Sequence, residues 1–187
     1  MPQNAMDFCH QAVAYLKVEV PDSGEPSMEL SEANAPAMRA IGHRLMVAYL
    51  VDVEHSFKYV QGRHLKEANI GLSELHEIGI RNLAALADSQ VEVRAYGNIF
   101  AVLMGGHFEA SLVLVDDFWS DRCAGLAPNG FVAAFPARDI LAFGDSASAE
   151  AIRELNEVCQ RGNDQLDHPL TNTLYRRVGT AWQPLHG

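Results

Sequence analysis

The sequence predicts an α+β fold, a single domain of mainly antiparallel sheet with helices packed on one face. Three observations carry this. Short apolar, β-branched runs follow one another closely through most of the chain. Many adjacent strands of this kind favour antiparallel pairing. Sustained helical periodicity is confined to a few segments, the longest being LSELHEIGIRNLAALAD and residues 148–160. The 187-residue length supports a full hydrophobic core, and 48% apolar with 20% charged residues is a globular profile.

The elements follow in order. Phe8, Ala12 and Tyr15 recur at helical spacing and predict a short helix over residues 5–16, stopped by Pro21. Residues 21–37 hold Pro21, Gly24, Pro26 and Pro36 and read as a loop, with SMEL as a possible brief edge strand. RLMVAYLVDV reads as a buried strand that HSFKYV continues or returns, and GRHLKEANIG as one or two helical turns ending at Gly71. The next helix takes Ser73 as N-cap and places Leu75, Ile78, Gly79, Leu83 and Leu86 on one side, with Asn82 near the middle of that stripe. An amide so placed needs partners.

VEVRAY, NIFAVLM and FEASLVLVDD read as strands, and DFWSDRC as a helical turn. Proline donates no ladder hydrogen bond, so FVAAFPARDILAF is an edge strand or is broken at Pro136. Ser146 or Ser148 caps a helix over 148–160, with Ile152, Leu155 and Cys159 inward. LYRRVGTAWQPL closes as a hairpin turning near Gly179.

Gly105-Gly106 can supply positive φ for a primed turn, which predicts a hairpin between NIFAVLM and HFEASLVLVD. Alternation then puts Phe108, Ala110, Leu112 and Leu114 on one face and His107, Glu109, Ser111, Val113 and Val115 on the other, spaced by about 7 Å. That order is wrong for a Ser-His-acid relay, because Glu109 lies between Ser111 and His107, and no G-x-S-x-G elbow exposes the serine. A carboxylate at the border of a covered face can carry a raised pKa, which keeps Glu109 of interest.

The remaining motifs are weaker. Eight histidines lack H-x-H or H-x-x-x-H spacing, so no metal site is predicted. Cys9, Cys123 and Cys159 are an odd, widely spaced set that suits neither a disulfide framework nor a zinc knuckle and fits a reducing cytosol. GDSASAE has too few glycines for a phosphate loop. A net charge of −10 repels phosphate backbones and anionic lipid, and Arg176-Arg177 is the best basic patch on offer. No nucleic-acid or membrane partner is expected. The N-terminus lacks the pattern of a secretory signal, and apolar runs such as LMVAYLV are too short to span a bilayer.

Several spaced pieces resemble a bacterial family of unknown function, the YtpQ-like proteins, from about residue 40 onward. They are VAYLVDVEHSFKYV, IRNLAAL, NIFAVLMGGHFEASLVL, FVAAFPARDILAF with GDS, and PLTNTLYRR. The most specific are Phe108 to Ser111 and Pro136 to Asp139. The resemblance implies a cytoplasmic bacterial protein, with residues 1–40 a variable N-terminal segment and residues 41–187 the core of the domain. It supplies no activity, cofactor or catalytic residue.

The expectation is therefore a non-enzymatic domain that binds a protein or small ligand, with Phe118 and Trp119 as a candidate anchor and a homodimer possible. No catalytic residue and no cofactor is assigned. The alternative is a small-molecule enzyme with carboxylate and arginine chemistry from Glu109, Ser111, Arg138 and Asp139, oriented by Asn82. These five are the candidate ligand-binding residues.

Overall fold

A computed structural model describes residues 4–19, 31–54, 56–161 and 168–185. The SMEL segment lies outside them. The fold is α+β with antiparallel sheets throughout, as the sequence predicts. The strands are shared between two sheets, one in each of two compact units, Met1–Leu83 and Ala84–Gly187.

The first unit opens with helix α1 (Ala5–His10) and continues as strand β1 (Val13–Val18). The predicted helix over 5–16 thus stops early. Tyr15 is paired with Ala48 in a sheet instead of following Phe8 along a helix. Strand β2 (Met38–Gly42), unpredicted, pairs with one stretch of the long central strand β3 (Leu45–Val53), and β4 (Ser56–Tyr59) returns along the next. Helix α2 (Gly62–Ala68) ends two residues before the predicted stop at Gly71, at Asn69, which adopts the left-handed conformation common at helix C-termini.

Helix α3 runs Leu72–Gln90, so Ser73 sits inside it and not at its cap. The predicted stripe faces inward: Leu75, Ile78, Gly79 and Leu83 are buried, and Leu86 is half-buried. Gly79 allows the close approach of α3 to the sheet. A Cβ there would fall 3.0 Å from Tyr49 Cδ1 and 3.1 Å from the Ala14 nitrogen. Asn82 finds the partners its position demands, donating at 2.8 Å to both the His10 and Ala12 carbonyls. It thereby ties α3 to the α1–β1 link.

The second unit is built on a six-stranded sheet of β5 (Glu92–Tyr96), β6 (Ile99–Leu103), β7 (Phe131–Ala134), β8 (Leu141–Asp145), β9 (Tyr175–Val178) and β10 (Ala181–Pro184), in the order β10-β9-β7-β8-β6-β5. The run containing Pro136 is broken there into β7 and β8. The terminal hairpin turns at Gly179, with φ +62°. Helix α4 (Ala149–Arg161), capped by the Ser148 hydroxyl, covers one face with Ala151, Leu155 and Cys159 against Ile99, Val132, Ala134 and Ala142.

The other face is aromatic. Trp119 is fully buried, its ring 4.8 Å from Trp182, 5.1 Å from Phe131 and 5.3 Å from Phe143. Phe118 and Trp119 are therefore core residues and not an exposed partner anchor. They belong to a π-helical turn, Phe118–Arg122.

FEASLVLVDD, predicted as a strand, folds instead around a 3-10 turn, Ala110–Leu114. Both edges of β6 are already occupied, by β5 on one side and β8 on the other, so no edge remains for a hairpin partner. The turn's carbonyls serve the aromatic face: Trp119 Nε1 donates to the Leu112 oxygen at 2.8 Å and Trp182 Nε1 to the Val113 oxygen at 2.9 Å. Ser111, Leu112 and Val113 are all buried, which a half-covered alternating strand would not give.

Candidate functional site

Gly105 and Gly106 do take positive φ, +79° and +86°, but they fold the chain around a carboxylate instead of into a hairpin. Glu109 is 3% exposed. Its Oε1 accepts from the Met104 and Gly106 amides, both at 2.7 Å, and its Oε2 from the Phe108 amide at 3.1 Å. Met104 lies just beyond the last β6–β8 pair, Val102 with Leu141, so its amide would otherwise be an orphan at the end of a ladder. Charge-assisted bonds to backbone N–H groups are the strong kind. Glu109 is a structural acceptor spent on its own loop.

The other predicted residues fall as follows. Ser111 is buried in the 3-10 turn, and its amide donates to the Phe108 carbonyl at 2.9 Å. Arg138 is half-buried and Asp139 exposed, in the loop joining β7 to β8. The Arg138 carbonyl accepts from Ala110 at 3.0 Å, and its amide donates to His168. Glu109, Ser111, Arg138 and Asp139 therefore share one backbone-stitched region. Asn82 belongs to the first unit, with both its amide donations committed there.

Arg176 and Arg177 do not form a basic patch. Arg177 points toward the aromatic face, its side chain 9% exposed and paired with Asp116 at 2.8 Å. Arg176 points the other way and donates to Ser146 Oγ. The three cysteines are buried and free, and burial pushes the Cys123 thiol up to about 12 and the Cys159 thiol up to about 11. Such thiols are protonated at neutral pH and are poor nucleophiles. Among the described residues no cluster of His, Cys, Asp and Glu is arranged to hold a metal ion.

A ligand-sized groove of about 350 Å³ lies elsewhere, between the β5–β6 turn and α4. Ile99 and Val158 line its apolar part, with Tyr96, Gly97, Arg153, Glu154, Glu157 and Arg161 around them. Tyr96 is 71% exposed, the most exposed large hydrophobic side chain among the described residues. The turn holding it is fixed to the helix, because Glu154 accepts from the Asn98 amide at 2.8 Å and from its side chain at 2.6 Å. Those two bonds, the side-chain one foremost, hold the Glu154 carboxyl below the usual range. Glu157 accepts from Arg153 at 2.8 Å and Arg161 at 3.4 Å. The rim charges thus neutralise one another.

Sequence reasoning did not select these residues. The available signal was an aromatic directly before Gly97-Asn98, which places Tyr96 at the end of a tight hairpin. No family model matches the chain, and no curated protein or solved structure matches it.

Proposed function

We propose that this chain is a non-enzymatic binding domain that seats an uncharged apolar side chain of a protein partner in the groove between Tyr96 and α4. The carrying observation is the groove itself: ligand-sized, apolar at Ile99 and Val158, and edged by the Tyr96 ring, which is 71% exposed. Its rim adds no net charge, because Glu154 and Glu157 offset Arg153 and Arg161. The paired rim charges leave no free countercharge for an ion, and the apolar lining suits an uncharged group. Against the enzymatic alternative, the Glu109 carboxylate is buried and accepts from three backbone N–H groups of its own loop. A cytoplasmic location and kinship with the YtpQ-like proteins belong to the same proposal. Among the described residues no helix is long and apolar enough to cross a membrane.

The test is an amide NMR titration with N-acetyl-leucinamide, N-acetyl-phenylalaninamide and N-acetyl-lysinamide. The apolar probes should shift the signals of Tyr96, Ile99 and Val158, the lysine probe should not, and Tyr96→Ser should abolish the response. Shifts scattered over the surface, or equal for all three probes, would sink the reading.

A further inference from the structure

Asn129-Gly130 is the one Asn-Gly pair in the sequence. Glycine has no side chain to shield its nitrogen, so an asparagine closes on the amide that follows it most readily in this pair. Asn129 is exposed, two residues ahead of β7. The Gly130 nitrogen, once it has lost its proton to a base in solvent, can attack the Asn129 Cγ. The new N–Cγ bond gives a cyclic imide, the Cγ–Nδ2 bond breaks, and ammonia leaves. Water then opens the imide at either carbonyl, giving aspartate or isoaspartate. Water is the only co-reactant, and nothing is oxidised or reduced.

The fold holds each reacting group back. The Gly130 amide donates to the Ala127 carbonyl at 3.0 Å, which keeps its proton engaged. The backbone and side-chain nitrogens of Asn129 both donate to Asp145 Oδ2, each at 3.1 Å, so one carboxylate oxygen grips the residue at both ends. Asp145 is itself anchored, its Oδ1 accepting from the Ala147 amide at 2.8 Å. We propose that Asn129 is a self-modification site, converted to aspartate or isoaspartate through the Gly130 nitrogen, and that Asp145 is the latch that holds the reaction off in the folded chain. The product undoes the latch. A carboxylate replaces the donor that Asp145 holds, and like charges at hydrogen-bond distance repel. Isoaspartate also adds a methylene to the main chain where it is tied to the loop leading into α4. There Ser146 donates its hydroxyl to the Asn129 carbonyl at 2.9 Å and its amide to the Gly130 carbonyl at 2.8 Å. The change is one-way, because the ammonia is lost, so it marks chains that have opened at this turn.

Peptide mapping by mass spectrometry, with isoaspartate methyltransferase labelling of the products, reads the modification during incubation at mildly alkaline pH. The chain in urea gives the rate of the unlatched peptide. The folded chain should react more slowly than that. Asp145→Ala should raise the folded chain's rate on the order of tenfold, the worth of one charge-assisted hydrogen bond. Ser148→Ala is the control. It removes the cap of α4 and destabilises the same unit without touching Asn129, so its rate should stay near the parent's. Asn129→Asp, a copy of one product, should lower the melting temperature, and adding Asp145→Asn should restore part of the loss by ending the charge repulsion. A folded chain that reacts as fast as the chain in urea, or Asp145→Ala no faster than Ser148→Ala, overturns the latch. No reaction at Asn129 even in urea overturns the site, and an Asn129→Asp chain as stable as the parent overturns the clash of carboxylates. If Asp145→Ala fails to fold, Asp145→Asn takes its place, since it keeps an oxygen for Ala147 and turns an NH2 toward Asn129.

Discussion

The Ala110 amide donates to the Arg138 carbonyl at 3.0 Å and so joins two segments that are remote in sequence. These are Phe108 to Ser111 and Pro136 to Asp139. Their meeting is a backbone bond, and the Glu109 side chain of the first segment accepts from the amides of its own loop. The pair of motifs therefore reads as a fold-holding clasp.

Glu109→Ala should destabilise the second unit by on the order of 3 kcal/mol, because several buried amides lose a charged acceptor at once. Glu109→Gln should cost less, since its amide oxygen still accepts while its NH2 meets a donor. Urea unfolding measures both, and formate should partly rescue the alanine variant by filling the vacated nest of N–H groups. An alanine variant as stable as the parent would refute the clasp.

Gly79→Ala weighs two effects of opposite sign. Relief of glycine's helix penalty is worth about 1 kcal/mol. Against it, the new methyl would stand 3.0 Å from Tyr49 Cδ1 and 3.1 Å from the Ala14 backbone nitrogen, and backbone cannot swing aside. Overpacking costs about 1–3 kcal/mol, so the net change is a loss. Thermal unfolding checks the sign, and a rise in melting temperature would show that α3 can move off the sheet.

Arg177 presents an asymmetric pair. Its side chain is nearly buried, its Nε has no hydrogen-bond partner, and Asp116 opposite is 54% exposed. Removing the acid leaves a buried cation without its partner, whereas removing the arginine leaves a carboxylate that water can solvate. Asp116→Ala should therefore lower the melting temperature more than Arg177→Met, which retains most of the buried hydrocarbon. The reverse order in calorimetry would contradict this account.

Two histidines predict a pH dependence. Burial first, then Arg39, lowers the pKa of His76 below 6.5, and burial first, then Arg63, does the same for His64. Each ring nitrogen is engaged in its neutral form: His64 Nδ1 accepts from the Gln61 amide at 3.0 Å, and His76 Nδ1 is 3.0 Å from the Tyr49 hydroxyl. The unfolded chain binds protons first as pH falls, so this stability is present above 6.5 and is lost as pH drops through the folded values. Asp145, held low by bonds from Ala147 and Asn129, and Glu154 act in a separate and more acidic window, starting from 3.8 and 4.5. His64→Gln with His76→Gln should flatten the loss just below pH 6.5 and leave the acidic limb unchanged. Urea midpoints across pH read both limbs.

Much of the fold was legible because local signals report local facts. Apolar runs marked β3, β6, β7 and β8, the helical stripe of α3 faces inward, and Gly179 turns the last hairpin. The site was less legible. Tyr96 carries no pattern of its own, and its setting depends on Glu154, which accepts from Asn98 across 56 positions of sequence.

The antiparallel α+β class, the break at Pro136, the positive φ at Gly105 and Gly106, and the need of Asn82 for partners all follow from residue type and order. What those features serve depends on the neighbours that folding brings to them. Residues 110–114 carry strand-like composition, yet β5 and β8 fill both edges of β6, and two indoles take the carbonyls of Leu112 and Val113. Periodicity records which residues avoid water. It does not record which neighbour holds the free ladder edge, and a segment left without one folds onto whatever hydrogen-bond donors the rest of the chain presents.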